Sequence, residues 1–169
     1  MRNNGDEEKK KPPTVKTIRF KQIKAVYEKF TITEKEHQYL KPFKRFNSPE
    51  QVFNTFNFLQ SETKEYFLAL HLDVKNRICC VDQIAIGSLS QAVVHPREVF
   101  KTALLSAAAS IILLHNHPSG DPTPSREDIA ITDRLIETGE LIGVKVLDHI
   151  IIGDTYVSFA EQDLLKIGD

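Results

Sequence analysis

The chain has 169 residues, 41% of them hydrophobic and 27% charged, with a formal net charge of −1 at pH 7. These values are typical of one soluble globular domain with a real core, and no apolar run approaches the roughly 20 residues that a membrane span needs. The N-terminus lacks the apolar segment of a secretory signal, and the two cysteines, Cys79 and Cys80, are adjacent. We therefore expect a cytoplasmic protein without a disulfide framework.

The charge is distributed unevenly along the chain. Residues 1–48 contain 13 Lys and Arg against 6 Asp and Glu, a net charge of +7, whereas residues 49–169 contain 9 against 17, a net charge of −8. A basic N-terminal arm could contact nucleic acid, and a solubilising tail is the simpler interpretation. The acidic remainder argues against a broad duplex-binding face, which needs clustered Lys and Arg.

The N-terminal third contains little that predicts regular structure. Residues 1–14 combine a charge run with two prolines and almost nothing apolar, which predicts a disordered basic tail. Residues 15–48 form an N-terminal extension, and the mixed basic and apolar residues at 15–30 fit a strand followed by a short helix, with no clear boundary between the two. A helix is then predicted, with Ser48 as N-cap, Pro49 at the first position and Gln51 at the third. It would bury Val52, Phe53, Phe56 and Leu59.

The remaining segments, residues 49–169, predict alternating strands and helices of one domain. In chain order they are a buried strand at 65–72, a turn at 73–76, a second strand of a hairpin at 77–86, a helix at 96–109, a short buried strand at 110–114, a helix at 124–138 and two final strands at 144–152 and 155–159. Thr123 and Pro124 are predicted to start the last helix and Gly139 to follow its end. This order indicates an α/β layered sandwich with a mixed β-sheet flanked by helices.

One stretch brings together residues that could bind a metal ion. His115 and His117 stand two apart at the end of a predicted strand, so their side chains point to one side and that of Asn116 to the other. Ser125 and Asp128 stand three apart, which places them on one face of a helical turn. The loop between them is restrained by three prolines. Two histidines and one aspartate are a plausible three-ligand shell for a catalytic zinc, with the fourth position open to water.

The spacing of these residues resembles a known signature. His115-x-His117, seven residues, Ser125, two residues and Asp128 is similar to the motif of JAMM (MPN+) metallopeptidases. Three stretches narrow the resemblance to the RadC-like JAB-domain branch: residues 94–100 (VHPREVF), 115–120 (HNHPSG) and 148–153 (DHIIIG). The resemblance runs from about residue 48 to residue 159. Longer RadC proteins carry a helix-hairpin-helix segment in front, and its absence from residues 1–48 weakens any DNA-binding role implied by the name.

The resemblance implies a JAMM/MPN-like, deaminase-like architecture and a zinc-dependent hydrolase of peptide or isopeptide amide bonds. It implies zinc bound by His115, His117 and Asp128, with Glu65 as general base and Ser125 as stabiliser of the tetrahedral oxyanion. The chemistry is consistent, because zinc lowers the pKa of bound water to roughly 7 and polarises a carbonyl. A nearby carboxylate can then move the water proton to the leaving amine, while a hydroxyl donor stabilises the developing charge.

Each of these roles has a simpler alternative. Ser125 and Asp128 also fit a capping pattern that only satisfies a helix N-terminus. Glu98 is the rival general base, although an acidic residue at a helix start is expected for dipole reasons alone. The adjacent cysteines are not expected to bind metal, and the His-x-Glu and Pro-Cys-x-x-Cys signature of zinc nucleobase deaminases is absent.

Three further residues are assigned to the surroundings of the zinc site. Asn116 is expected to brace the loop, and Asp148 or Asp121 to accept the second N–H of a zinc histidine, as ligating imidazoles usually require. Three other histidines, His71, His95 and His149, are expected to be ordinary strand or loop residues. The competing function is a non-catalytic or nucleic-acid-associated RadC-type module that serves DNA repair or mobile elements.

Overall fold

The computed structural model describes residues 45–87 and 94–165. The predictions for residues 1–14 and for most of the 15–48 extension lie outside the described residues. The elements are α1 (Pro49–Phe56), a 3-10 helix (Asn57–Ser61), β1 (Tyr66–Leu72), β2 (Ile78–Ile86), α2 (Pro96–Leu105), β3 (Ser110–Asn116), α3 (Arg126–Ile142), β4 (Lys145–Ile152) and β5 (Tyr156–Ser158). Within these ranges no helix has the length and apolar character needed to cross a bilayer.

The strands form one five-stranded sheet in the order β2-β1-β3-β4-β5. β1 is antiparallel to both β2 and β3, β3 is parallel to β4, and β4 is antiparallel to β5. The parallel pair requires a long crossover connection, which α3 supplies. The predicted α/β sandwich with a mixed sheet is therefore confirmed, as is the β1–β2 hairpin.

Helices cover both faces of the sheet because the central strands are apolar on both sides. Phe67, Ala69, Ile111 and Leu113 pack with residues of α2 and α3. The alternate residues Leu68, Leu70, Ile112 and Leu114 pack with α1 and the 3-10 helix. All seven residues of β3 are buried, including the last two, His115 and Asn116. The alternation of β3 therefore directs His115 towards α3 and Asn116 towards the opposite face.

The start of α1 agrees with the prediction from sequence. Ser48 is the N-cap, Pro49 opens the helix, and the Ser48 Oγ accepts a hydrogen bond from the Gln51 backbone N–H at 3.4 Å. Of the four side chains expected inside, Val52, Phe56 and Leu59 are fully buried. Phe53 is half-buried and packs its ring against Tyr156.

The predicted start of α3 is wrong by two residues. The helix begins at Arg126 with Ser125 as N-cap, rather than at Pro124 with Thr123 as cap. The reason is that Ser125 and Asp128 form a complete capping box, which satisfies two backbone donors at once. Thr123 instead donates its backbone N–H to the Asp121 carboxylate at 2.9 Å and belongs to the preceding loop.

Two predicted helix ends also differ. α3 continues to Ile142 and ends at Gly143, whose φ of +77° is the left-handed conformation that glycine favours. Gly139 lies inside the helix, and a Cβ there would lie 2.4 Å from a backbone carbonyl oxygen and 3.2 Å from the Phe100 ring. Its role is therefore close packing. α2 ends at Leu105, four residues earlier than predicted, and Ala107 beyond it has a positive φ of 53°.

Candidate metal centre

Three side chains from β3, the following loop and α3 converge at one point. The Nε2 atoms of His115 and His117 lie 3.0 Å apart. The Asp128 Oδ1 lies 3.3 Å from the His115 Nε2, and its Oδ2 lies 3.4 Å from the His117 Nε2. A regular tetrahedron with zinc–ligand bonds of 2.0–2.1 Å has edges of about 3.3 Å. Each measured contact is therefore close to such an edge, with one carboxylate oxygen facing each ring, and one ligand atom from each of the three residues lies within 4.8 Å of the other two.

The protonation of the two imidazoles also suits a cation. The His117 Nδ1 lies 2.8 Å from the Asp121 carbonyl oxygen, which can only accept, so this nitrogen carries the proton. In the neutral ring the Nε2 then presents a lone pair to the Nε2 of His115 and to the Asp128 carboxylate. Converging lone pairs repel one another, and a divalent ion that binds all of them removes the repulsion. The donor set of two imidazole nitrogens and one carboxylate fits zinc.

The pKa shifts of the three candidate ligands are also compatible with a bound cation. Burial raises the pKa of Asp128, but its close interactions with the His115 and His117 rings outweigh this effect and hold that pKa well below its usual range. The hydrogen bond to Asp128 raises the pKa of His117 against the effect of burial, whereas burial lowers the pKa of His115. Of the two histidines, His117 is thus the one that keeps an additional proton to the higher pH in the absence of metal. Metal binding must displace this proton, so affinity is expected to fall as the pH falls.

Ser125 contacts the ligand carboxylate directly. Its backbone N–H and its hydroxyl donate to the Asp128 Oδ2 at 2.7 and 2.6 Å, and the Ser125 Oγ accepts from the Asp128 backbone N–H at 3.1 Å. The capping interpretation is therefore correct. It does not compete with metal binding, because the Asp128 Oδ1 still faces His115 and the Oδ2 still faces His117. The capping box orients the carboxylate towards both rings.

Glu65 lines the same cavity as the three candidate ligands. It directly precedes β1, in which Phe67 pairs with His115. Its negative charge adds to the rise of the His117 pKa and partly offsets the lowering of the His115 pKa by burial. The cavity has a volume of about 740 Å³. It is lined by Thr63, Lys64, Glu65, Gly87, His115, His117, Pro118, Ser119, Ser125 and Asp128.

Asn116 holds the backbone on both sides of Glu65. Its Oδ1 accepts from the Tyr66 backbone N–H at 2.7 Å, and its Nδ2 donates to the Lys64 carbonyl at 3.0 Å. The Glu65 carbonyl in turn accepts from the Gly87 N–H at 2.8 Å. Asn116 was expected to brace the histidine loop. It thus connects the end of β3 to the segment that carries Glu65, at the start of β1.

Glu98, the rival general base, lies elsewhere. It occupies the first turn of α2 and is not among the residues that line the cavity. Its carboxylate lies 2.6 Å from the Lys101 Nζ and 3.5 Å from the Arg97 Nε, and these cations lower its pKa. The structure therefore places Glu65, and not Glu98, beside the candidate ligands.

The expected role of Asp148 is wrong. Its carboxylate accepts from the backbone N–H groups of His149 and Ala160 at 2.7 and 2.9 Å and from the Ser158 hydroxyl at 2.7 Å. Burial raises its pKa against these hydrogen bonds. Asp148 thus ties β4 to the segment after β5. Asp121 does contact a ligand histidine, but through its carbonyl oxygen rather than its carboxylate.

The partner of His115 is His149, which the sequence pattern did not single out. The His115 Nδ1 and the His149 Nε2 lie 2.8 Å apart, and the His149 Nδ1 lies 2.6 Å from the Thr132 Oγ1. His149 is fully buried. Only the register of the parallel β3–β4 pair, which places Leu113 opposite His149, brings the two rings together. No spacing along the chain signals that register.

Comparison with known proteins identifies the family of the chain. A model of the RadC-like JAB domain matches residues 46–164. The chain is similar to a UPF0758 protein of Pelobacter propionicus (59% identical, covering 72% of this chain and 54% of that protein). A UPF0758 protein of Methanosarcina mazei is 49% identical, over 74% of this chain and 56% of that protein. The chain thus spans about half the length of these curated relatives. The match to the family model covers well over half of the chain, and the chain therefore belongs to the RadC-like JAB domain family.

Proposed function

We propose that this domain is a zinc-dependent hydrolase of peptide or isopeptide amide bonds. The observation that carries the proposal is the convergence of two imidazole nitrogens and one carboxylate, with neighbouring atoms 3.0–3.4 Å apart, in a cavity that also contains a glutamate. A metal site in a closed core would only stabilise the fold. A site on the wall of an open cavity leaves room for both water and a substrate carbonyl.

Each residue of the site has a separate role in the proposed hydrolysis. His115, His117 and Asp128 hold the zinc ion, which lowers the pKa of water and polarises a carbonyl when bound. Glu65 takes a proton from the attacking water and passes it to the leaving amine. Ser125 is exposed on the cavity wall next to Asp128. Its hydroxyl proton, which points to the Asp128 Oδ2 in the free site, would turn to the carbonyl oxygen of the substrate as negative charge develops there.

Asn116 supports the assignment of Glu65 as general base. A general base has to stay within hydrogen-bond reach of the water proton, and a glutamate before a strand would ordinarily be free to move. The two Asn116 hydrogen bonds, to the N–H of Tyr66 and the carbonyl of Lys64, fix the backbone on either side of Glu65. Because Asn116 lies between His115 and His117, the base and the metal ligands share one rigid frame.

Replacing the proposed base tests this function. We expect Glu65→Gln to lower turnover by about 10²–10⁴-fold on a panel of peptide and isopeptide substrates, because the amide cannot accept the proton. Zinc content, measured by elemental analysis, should stay at the level of the parent chain. Asp128→Ala should lose both zinc and turnover.

Glu98→Gln is the matched control, because it makes the same chemical change on the surface of α2. It should retain turnover and zinc. If Glu98→Gln abolished activity and Glu65→Gln did not, the assignment of the base would be wrong. A zinc-loaded parent chain without turnover on any amide substrate would contradict the hydrolase itself.

The uneven charge favours a second candidate function. Residues 1–48 carry a net charge of +7 on a chain whose remainder carries −8. Such a segment could hold the domain on DNA, as a RadC-type module in DNA repair or mobile-element biology would require. The two functions are not exclusive, because a metal-dependent hydrolase can be brought to DNA by a separate arm. A cytoplasmic location would suit either function, and the free cysteines Cys79 and Cys80 are compatible with it.

A further inference from the structure

A chain of buried hydrogen bonds runs behind the candidate metal centre and connects two of its ligands. The Thr132 Oγ1 donates to the Asp128 carbonyl at 2.6 Å, one helical turn earlier in α3. The same oxygen lies 2.6 Å from the His149 Nδ1, and the His149 Nε2 lies 2.8 Å from the His115 Nδ1. Thr132 and His149 are both fully buried. Neither lies among the residues that line the cavity, so their contacts act on the ligands rather than on a substrate.

The donors and acceptors of this chain can be assigned one by one. The Asp128 carbonyl oxygen only accepts, so the single hydroxyl proton of Thr132 points to it. The Thr132 oxygen must then accept from the His149 Nδ1–H. In a neutral His149 the Nε2 is left as an acceptor, so the proton between the two rings belongs to the His115 Nδ1. The His115 Nε2 therefore carries a lone pair, and this is the atom that faces His117 and Asp128.

If every hydrogen bond in this series were donated in the opposite direction, the same contacts would not be satisfied. If His149 donated from its Nε2 to His115, its Nδ1 would need the Thr132 proton. The Thr132 and Asp128 oxygens would then stand 2.6 Å apart with no proton between them. A doubly protonated His149 would place a cation in a fully buried position between the Phe67 and Phe159 rings, whose centroids lie 5.5 and 4.8 Å away.

We propose that Thr132 and His149 are positioning residues that hold His115 in its Nδ1–H tautomer, so that its Nε2 is available to the metal ion. The proposal rests on the metal site of the proposed function. Ligating histidines usually donate this second N–H to a carboxylate, a backbone carbonyl or water. Here a second imidazole accepts it at its Nε2, and the Nε2 of a neutral imidazole can accept only when the proton is on Nδ1. The threonine is what selects that tautomer.

The surroundings of His149 keep its ring in place for this role. Asp148 accepts from the His149 backbone N–H at 2.7 Å, and the His149 carbonyl accepts from the Phe159 N–H at 3.0 Å. The Phe159 ring stacks on the imidazole with an interplanar angle of 29°. The imidazole is therefore fixed from its backbone and from one face, and only the hydrogen bonds to Thr132 and His115 determine the tautomer.

Thr132→Val tests the proposal, because it removes the hydroxyl at almost constant volume. In the full chain we expect zinc affinity, measured by competition with a chelator, to fall about tenfold, at the low end of the range for groups that orient a ligand. The ¹⁵N NMR shifts of the imidazole rings should show His149 leaving the Nδ1–H tautomer. Thr132→Ser, which keeps a hydroxyl, should restore both the affinity and the tautomer.

Thr138→Val is the matched control. Thr138 lies in the same helix and donates to the Arg134 carbonyl at 2.7 Å in the same i to i−4 pattern, but at a half-buried position away from the metal ligands. It should leave zinc affinity and the imidazole shifts unchanged. His149→Phe fills the same space without an acceptor and should weaken zinc binding by about 10–100-fold.

Two results would overturn the proposal. One is a folded Thr132→Val chain that binds zinc as tightly as the parent chain with His149 still in its Nδ1–H tautomer. The other is a Thr132→Ser chain as weak as Thr132→Val, because the effect would then come from packing. A parent chain that shows the expected affinity and tautomers but hydrolyses no amide would contradict the proposed function and would support this proposal.

Discussion

Ser125 and Asp128 each take part in both the start of α3 and the candidate metal centre. The capping box uses the Ser125 Oγ as acceptor and the Asp128 Oδ2 as acceptor, and the same carboxylate faces His115 and His117. A helix N-terminus favours negative charge, which helps to keep Asp128 ionised. Helix capping and the orientation of the candidate metal ligand therefore depend on the same two residues. A substitution at either residue affects both properties unless it is chosen to change only one of them.

Ser125→Gly separates the cap from the chemistry. Glycine is tolerated at an N-cap at a cost of only a few tenths of a kcal/mol, and its backbone N–H can still donate to Asp128. We therefore expect nearly unchanged stability in urea unfolding. Turnover at saturating zinc should fall about 10²-fold, because a donor to the oxyanion has been lost.

Ser125→Thr, which keeps the hydroxyl, is the control and should retain most of the turnover. If Ser125→Gly turned over amide substrates as fast as the parent chain at saturating zinc, Ser125 would be a cap and no more.

At the scale of elements, the loop that carries His117 is supported by the β4–β5 turn. The His117 N–H donates to the Ile152 carbonyl at 2.8 Å, and the Asp154 N–H donates to the Gly120 carbonyl at 2.7 Å. The Gln60 Nε2 donates to the Gly153 carbonyl at 2.7 Å and so fixes the turn from the other side. A Cβ on Gly153 would lie 2.2 Å from the Gly120 carbonyl oxygen. The turn can approach the loop this closely only because this residue is glycine.

Gly153→Ala should therefore weaken metal binding. The added methyl group forces two backbone segments apart, and His117 moves with one of them. We expect a measurable loss of zinc affinity in chelator competition, together with a lower free energy of unfolding in urea.

Gly143→Ala is the control for a purely conformational cost. Gly143 has a φ of +77° and open space around its Cβ position, so alanine there is strained by about 1–2 kcal/mol without touching the site. It should lower stability and leave zinc affinity unchanged. Equal zinc affinities in the two variants would show that the turn does not support the metal loop.

Contacts between residues close in sequence could be predicted from the sequence, whereas contacts between different helices and strands could not. The His115 and His117 pair, the Ser125 and Asp128 pair and the Ser48 cap follow from spacings of two or three residues. His149 reaches His115 across 34 positions, and Asn116 reaches the Tyr66 N–H across 50. Such contacts depend on strand register, which is set by the packing of the whole sheet.

The misplaced ends of α3 have the same cause. Thr123-Pro124 and Ser125 were competing start signals, and the competition was decided by the three-dimensional contacts of Asp128. Gly139 was predicted to follow the helix end because glycine is common at that position. The Phe100 ring packs against it, so the close contact between α3 and α2 requires a glycine there. Local chemistry therefore predicted which residues could act together, and packing decided which of them do.

At the scale of the whole molecule, the charge is divided between a basic N-terminal segment, residues 1–48, and an acidic remainder. The candidate metal centre lies in the acidic part of the chain, with His115, His117 and Asp128 all beyond residue 48. An acidic surface repels a DNA backbone, so any affinity for DNA should depend on the basic residues at the N-terminus. The two candidate functions therefore depend on different parts of the chain and can be separated by experiment.

Removing residues 1–27 should abolish DNA binding without touching the metal centre. We expect the full chain to bind duplex or single-stranded DNA weakly, with an affinity that falls linearly in log–log form as salt rises, because binding releases counterions. The shortened chain should lose this binding and keep its zinc affinity and its turnover. The Glu65→Gln chain makes the opposite change and should bind DNA as the parent does while losing turnover. DNA binding that survived the deletion, or that disappeared on Glu65→Gln, would mean that residues 49–169 contact DNA. The assignment of DNA binding to the basic N-terminal segment would then be wrong.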